Sequence, residues 1–213
     1  HHKHILIAGC GTGEVSQLFN ENDYSTITGI DLSAHMVNYA KNKFANDKIT
    51  FHQEDLANLS SHERQYDCIW LERVLHHIDD IDNVLKGLTH LLSSSGEFVI
   101  AEPYIPSTII APIHVSNCQS FANKWSQTVA NGEVGVAVKE KMNVLGYCPK
   151  YLFGSFVSMD NYDALSRYID LSLFLDVSDI EEIIKQKQQW QQATQKGVFQ
   201  LHWPMLNYIF SPS

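Results

Sequence analysis

Residues 5–13 read ILIAGCGTG, an apolar run that ends in three alternate glycines, and no other stretch constrains the fold of this chain as much. Residues 5–8 have the length of a buried strand, and Gly9, Gly11 and Gly13 let the chain turn where a side chain would obstruct it. Residues 14–20 then read as the opening of a helix. A strand, a glycine turn and a helix build the crevice used by nucleotide-type ligands. The dinucleotide fingerprint G-x-G-x-x-G would need a third glycine at position 14, where this chain has Glu14. A pyrophosphate seeks backbone N–H groups and a helix N-terminus, and an acid in the first helical turn is a poor neighbour for it.

Behind this turn the first half alternates strand and helix. Residues 25–30 (STITGI) are expected as a strand ending at Asp31, and Ser33 as the cap of a helix with Met36, Val37, Ala40 and Phe44 on one stripe. Residues 48–53 form a third expected strand, followed by Glu54, Asp55 and Leu56, and residues 66–71 (YDCIWL) a fourth. Ile78, Ile81, Val84, Leu85, Leu88, Leu91 and Leu92 repeat at helical spacing behind it. Residues 93–96 (SSSG) break that helix, and residues 97–101 form a fifth strand closing at Glu102. Strands alternating with helices imply a doubly wound parallel sheet with its ligand at the strand C-termini. There Asp31 lies about 20 residues beyond the glycine turn, where a carboxylate accepts hydrogen bonds from ribose hydroxyls. Asp55 reads either as a ligand contact or as a loop acid capping a turn.

Composition narrows the partners. A net charge of −9 over 213 residues, with 15 Lys and Arg spread along the chain, disfavours nucleic acid. No apolar run reaches the roughly 18 to 20 residues of a membrane span, and no secretory leader pattern opens the sequence, so a cytoplasmic protein without a membrane partner is expected. The four cysteines, Cys10, Cys68, Cys118 and Cys148, form no C-x-x-C pair, which argues against zinc or a disulfide framework. Cys10 and Cys68 read as small buried fillers. His1 and His2 resemble the remnant of a purification tag and are excluded from function. His76 and His77 are two potential ligands, but adjacent residues on a helix diverge by about 100° and no further donor completes a shell, so no metal site is expected.

Taken together, G-x-G-x-G at residues 9–13, Asp31, Asp55-Leu56 and YDCIWLERVLHHIDD at residues 66–80 resemble, in order and spacing, the motifs of class I S-adenosylmethionine-dependent methyltransferases. The likeness covers residues 4 to about 103. It implies a Rossmann-like, doubly wound, mostly parallel sheet of seven strands with helices on both faces and a helical lid inserted after strand five. It implies S-adenosyl-L-methionine as cofactor, and a cationic sulfonium tolerates Glu14. Gly9, Cys10, Gly11, Thr12 and Gly13 would lie against its methionine end, Asp31 at its ribose, and Asp55 and Leu56 at its adenine, with Leu32 and Met36 also among the residues that bind it. The segment around Leu71, Glu72 and Val74 would meet its amino group. Family members usually carry an acid two positions before the first glycine, where this chain has Ile7, and helices that commonly precede the first strand are expected to lie on a longer N-terminus.

The second half is less regular. Residues 121–130 and 136–145 are candidate helices. Ser158 or Asp160 is expected to cap a helix through Tyr162, Leu165, Tyr168 and Ile169, and Ser178 another that stops before Gly197. Residues 198–203 and 206–210, flanking Pro204 and Met205, read as two strands that pair at the sheet edge. The chain then divides into a cofactor-binding core (1–103), a lid and recognition insertion (104–196) and C-terminal strands completing the sheet (197–213). Trp125, Tyr151, Phe153, Phe156, Tyr168, Phe174 and Trp203 supply either an apolar pocket or the core of lid and sheet.

The resulting expectation is a methyltransferase acting on O or N of a small-molecule acceptor by in-line displacement. A sulfonium leaves readily, so proximity carries much of the catalysis and a base is optional. For a hydroxyl or amine acceptor, His77, Glu72, Glu102 or Tyr104 could take the proton. The alternatives are a catalytically inactive methyltransferase-like binding domain, a protein methyltransferase, or a nicotinamide-dependent oxidoreductase, the last disfavoured by Glu14. If Asp31 holds the ribose, Asp31→Ala weakens S-adenosylmethionine binding by about 1–3 kcal/mol. Calorimetric titration of the folded variant checks this, and an unchanged affinity removes Asp31 from the site.

Overall fold

A computed structural model describes residues 3–61, 65–113, 115–167, 170–175 and 179–213. Its strands are β1 (Lys3–Ala8), β2 (Tyr24–Asp31), β3 (Ile49–Gln53), β4 (Tyr66–Glu72), β5 (Leu92–Pro103), β6 (Ile109–Ala111), β7 (Tyr147–Met159) and β8 (Gln200–Pro212). Its helices are α1 (Ala34–Phe44), α2 (Ile81–Leu91), α3 (Val115–Ser126), α4 (Val134–Val144), α5 (Tyr162–Leu165) and α6 (Ile180–Gln195). One eight-stranded sheet runs β3-β2-β1-β4-β5-β8. The first five strands are parallel, and β8 is antiparallel to β5. One edge of β8 pairs with β5 and then with the short β6, and the other edge pairs with β7 over its length.

Strand alternation distributes the core to both faces. Leu6, Ile69, Phe98 and Phe210 sit side by side on one face, where α2 and α4 cover them with Leu85, Leu88, Val138 and Met142. On the other face Ile5, Ile7 and Ile27 meet Val37 and Ala40 of α1. Farther along that face, Leu201 of β8 packs with Phe121 of α3, Tyr162 of α5 and Trp190 of α6. The expected double winding is therefore present, with eight strands in place of seven.

Local chemistry explains the differences from the sequence reading. Residues 14–20 form only a 3-10 turn, Glu14–Leu18, because Gly13 enters it in the left-handed region (φ 86°) without a side-chain cap. Ser33 does cap α1, accepting from Met36 N–H. The helix expected from Ile78 starts at Ile81, where Asp80 accepts from Asn83 N–H, and Leu75–His77 forms a separate 3-10 turn. Residues 93–96 do not leave the sheet. They form a bulge within β5, since Tyr66 pairs with Leu92 while Cys68 pairs with Glu97.

Beyond β5, α3 and α4 lie close to the expected 121–130 and 136–145, and Asp179 caps α6. Ser158 belongs to β7, and Asn161 caps the four-residue α5; Tyr168, Ile169 and Ser178 lie outside the described residues. The two strands expected at 198–203 and 206–210 are one strand. Pro204 lies where β5 has left β8, after Met205 opposite Pro103, and β6 has not yet joined at His202. Its carbonyl accepts Tyr104 N–H on that same edge (3.0 Å). A strand residue points its N and C=O to the same edge in an antiparallel ladder, so the missing N–H costs no bond to β7.

Helix α4 crosses the end of β5 closely enough that a Cβ on Gly135 would stand 2.7 Å from the Pro103 carbonyl oxygen and 2.9 Å from that of Glu102. Backbone cannot yield as a side chain can. Gly135→Ala should therefore lower unfolding free energy by about 1–3 kcal/mol, the cost of overpacking. Chemical denaturation measures it, and unchanged stability would place α4 farther from β5.

Candidate active site

The parallel strands deliver their C-terminal ends to one edge of the sheet, and a cleft of about 880 Å³ opens there. Its first wall is the turn after β1. Gly9, Gly11 and Gly13 all have positive φ (73°, 51° and 86°), a region that costs other L-residues about 1 kcal/mol or more. Gly9 and Cys10 both donate their N–H to Ile30 carbonyl oxygen at 2.8 Å, which ties this turn to the end of β2. A Cβ on Gly11 would meet nothing within 4 Å, so that backbone is open to a ligand. Gly9, Cys10, Gly11 and Thr12 line the cleft. Gly13 does not, since its Cβ position faces Ala40, Phe44 and Phe51 behind the turn.

Asp31 enters from β2. One carboxyl oxygen accepts Gly11 N–H (2.8 Å) and the other Ser33 N–H (2.9 Å), so the side chain is held in one orientation, with a lone pair left on each oxygen. Leu32 and Met36 contribute exposed apolar surface to the same cleft. Asp55 and Leu56 line it as well, yet both Asp55 oxygens are engaged locally, by Ala57 N–H (2.9 Å) and the Asn58 amide (3.0 Å). Asp55 thus caps the 3-10 segment Leu56–Ser61 while it faces the cleft.

The far wall follows β4. Glu72, Arg73 and Val74 line the cleft, whereas Leu71 is fully buried in the sheet core and does not. Arg73 alone among the described non-glycine residues has positive φ (57°), and its guanidinium stands 3.4 Å from Glu72. The next turn carries His76 and His77. Adjacent residues of a 3-10 turn such as Leu75–His77 leave the backbone about 120° apart, yet the two rings fold back to lie 3.8 Å apart centre to centre. His77 is exposed in the cleft, and its ionisation is pushed below the usual 6.5 by partial desolvation first and by neighbouring His76 second. His76 is buried, with Nδ1 3.0 Å from Glu102 Oε2.

Two of the expected bases are elsewhere. Glu102 is fully buried, and its oxygens already accept from Val74 N–H, Leu75 N–H and His76. Tyr104 does not line the cleft; it follows β5 with its N–H on the Pro204 carbonyl. The sequence reading passed over Arg73, Asp79 and Asp80, although all belong to the fourth motif; it weighed His76 only as a metal ligand, and Trp203 only as one of the aromatics of a pocket or a core. Trp203 reaches the cleft from β8, edge-on to Trp125, which in turn stacks on Phe174 at 5.5 Å. Tyr151, Phe153 and Phe156 lie exposed on β7. Among the described residues no group of three His, Cys, Asp or Glu could hold a metal, and no helix is long and apolar enough to cross a membrane.

A family model described as "Methyltransferase domain" matches residues 6–100, the stretch that builds β1 to β5 and the cleft. The methyltransferase GfsG of Streptomyces halstedii is 24% identical over 182 residues, covering 84% of this chain and 55% of that protein. A malonyl-[acyl-carrier protein] O-methyltransferase of Priestia megaterium is 33% identical over 98 residues, covering 46% of this chain and 35% of that protein. The chain thus spans about a third to half the length of these curated relatives. A methyltransferase of Thiobacillus denitrificans, solved in complex with S-adenosyl-L-homocysteine, superposes with a TM-score of 0.58 at 16% identity, covering all of this chain and 86% of that one. The fold is the Rossmann-like methyltransferase fold.

The cleft residues suit the cofactor read from the glycine turn. Among the described lining residues Glu14, Asp31, Asp55, Glu72, Asp79 and Asp80 outnumber one cation, Arg73, a field that favours a sulfonium and opposes a pyrophosphate. Cys10 is the one thiol among the lining residues, and burial followed by the Asp31 charge pushes it up to about 12. Cys68 is pushed up to about 11 by burial. The thiolate is the reactive form. Iodoacetamide at pH 8 should therefore modify exposed Cys148 first and leave Cys10 and Cys68 largely intact, as peptide mass mapping would show. Comparable labelling of Cys10 would contradict its burial in the turn.

Proposed function

We propose that this chain is an S-adenosylmethionine-dependent methyltransferase that methylates a hydroxyl group of a small molecule, with His77 as general base. The observation that carries the reading is the exposure of a neutral-leaning imidazole in the cleft beside the strand ends, where Arg73, the one cation among the described lining residues, is paired with Glu72. A carboxylate acceptor would call for a free cationic clamp, whereas a hydroxyl calls for a base.

Gly9 to Thr12, Glu72 and Val74 would hold the amino-acid end of the cofactor, Asp31 its ribose hydroxyls, and Leu32, Met36, Asp55 and Leu56 its adenine. When bound, S-adenosylmethionine supplies a methyl group on a sulfonium that departs as a neutral thioether. The chain contributes positioning and a proton acceptor: the glycine turn and Asp31 fix one partner, and His77 takes the acceptor's hydroxyl proton as the new O–C bond forms. Trp203 and Ile78 provide apolar surface for the acceptor body. The Priestia relative shares transfer to oxygen, although the malonyl group in its name offers a carboxylate and not a hydroxyl.

The test is calorimetric titration with S-adenosylmethionine and S-adenosylhomocysteine, then labelled-methyl transfer to a panel of hydroxylated small molecules. His77→Ala should reduce kcat by about 10²- to 10⁴-fold, the range of a lost general base, with cofactor affinity preserved. Protonated imidazole cannot accept a proton, so the wild-type rate should fall as pH drops through a midpoint below 6.5 and stay level above it. Full activity in His77→Ala, or the same acid limb in it, would remove His77 from the chemistry.

A further inference from the structure

Glu102 is the least expected side chain near the cleft. It is an acid with no exposed surface at the end of a central strand. Burying such a group is costly unless its oxygens are fully hydrogen-bonded, and three donors converge on it. Arg73 in the left-handed region (φ 57°), followed by Val74 at φ −116° and ψ −51°, turns two successive N–H groups the same way. Such a nest of amides binds anions. Here the anion is internal: Glu102 Oε1 accepts Val74 N–H and Leu75 N–H, both at 2.8 Å, and Oε2 faces His76 Nδ1 at 3.0 Å. The same turn is gripped from the far side, where Asn131 donates its N–H to the His76 carbonyl (3.0 Å) and its side-chain amide to the Ile78 carbonyl.

We propose that Glu102 is a positioning residue that acts through His76: by holding the 74–76 turn and the Nδ1–H tautomer of His76, it fixes the ring against which His77 leans and keeps His77 the proton-accepting face of the pair. The proposal rests on the reading of His77 as base. Several observations support it together. Glu102 has no route to substrate, so it cannot itself exchange protons with an acceptor. With Nδ1–H committed to a carboxyl oxygen, His76 presents a defined ring to its neighbour, 3.8 Å away and tilted by 42°. The charged groups that share the cleft with His77 are Glu14, Asp31 and Asp55 on the first three strand ends, Glu72 and Arg73 on the fourth, and Asp79 and Asp80 on the following loop. The electrostatic influences that bear on His77 are nevertheless His76, which opposes its protonation, and Glu102, which favours it.

Histidine-labelled nitrogen NMR of the full chain, with S-adenosylhomocysteine calorimetry and methyl-transfer kinetics beside it, tests the arrangement. In Glu102→Gln the amide oxygen can still accept the two backbone N–H groups, but its NH₂ then faces His76. The His76 Nδ1 signal should change from the protonated to the unprotonated type. The value of kcat should fall on the order of 10- to 100-fold, the scale for losing a partner that orients a functional histidine, while S-adenosylhomocysteine affinity stays within about twofold. His76→Gln covers the case in which Glu102→Gln does not fold, because its amide can still donate to Glu102. There the His77 titration should move upward, since the opposing ring is gone. An unchanged Nδ1 signal and unchanged kcat in Glu102→Gln, or an unmoved His77 titration in His76→Gln, overturns the proposal. Full methyl transfer by His77→Ala would instead sink the base assignment, leaving the NMR response of the two histidines to stand or fall by itself.

Discussion

Val74 occupies the space that a Cβ on Gly9 would need: its methyl carbons lie 2.5 and 2.7 Å from that position. The turn after β1 and the turn after β4 can therefore close on one another only because the first begins with glycine. Everything in the cleft follows from this approach. It brings the open backbone of Gly11 and the Asp31 carboxyl on one side within the same cavity as Glu72, Arg73 and the two histidines on the other. Parallel pairing of β1 with both β2 and β4 sets the level at which the two turns meet.

The electrostatics are layered around that contact. The cleft surface is acidic, which suits a cationic cofactor, whereas the carboxyl group beneath it, Glu102, is withdrawn from solvent and spent on structure. Its three donors hold the turn that carries His76 and His77. The strained left-handed backbone at Arg73 is what aims two of those donors, so strain near the site is offset by a buried hydrogen-bond network and not by packing alone.

The parallel half of the fold was legible from residue order because its strands are apolar runs closed by a polar residue and its first helix begins at a cap, Ser33, whereas the cap of the second, Asp80, went unread. The antiparallel half was not. β7 mixes Pro149, Lys150, Gly154, Ser155 and Ser158 with exposed aromatics, and among the described strands it pairs along one edge only, so alternation is weak. β8 reads as two strands because of Pro204, whose missing N–H matters only if a neighbour is opposite it; the gap between β5 and β6 removes that neighbour. Whether residues 93–96 end a helix or bulge a strand likewise depends on what lies beside them.

By itself the sequence determined the chemistry available at the strand ends: glycines where backbone must be bare, acids after β2 and β3, and a histidine pair after β4. These are local requirements, written residue by residue. Only the tertiary structure decided which of those groups act at the surface and which are consumed inside. Glu102 and Glu72 are the same residue type at the ends of neighbouring strands, yet one fills an amide nest and the other lines the cleft. Trp203, more than a hundred residues from the glycine turn, joins the same cavity because β8 runs antiparallel beside β5. Burial and long-range pairing are properties of the assembled sheet, and no spacing within one strand encodes them.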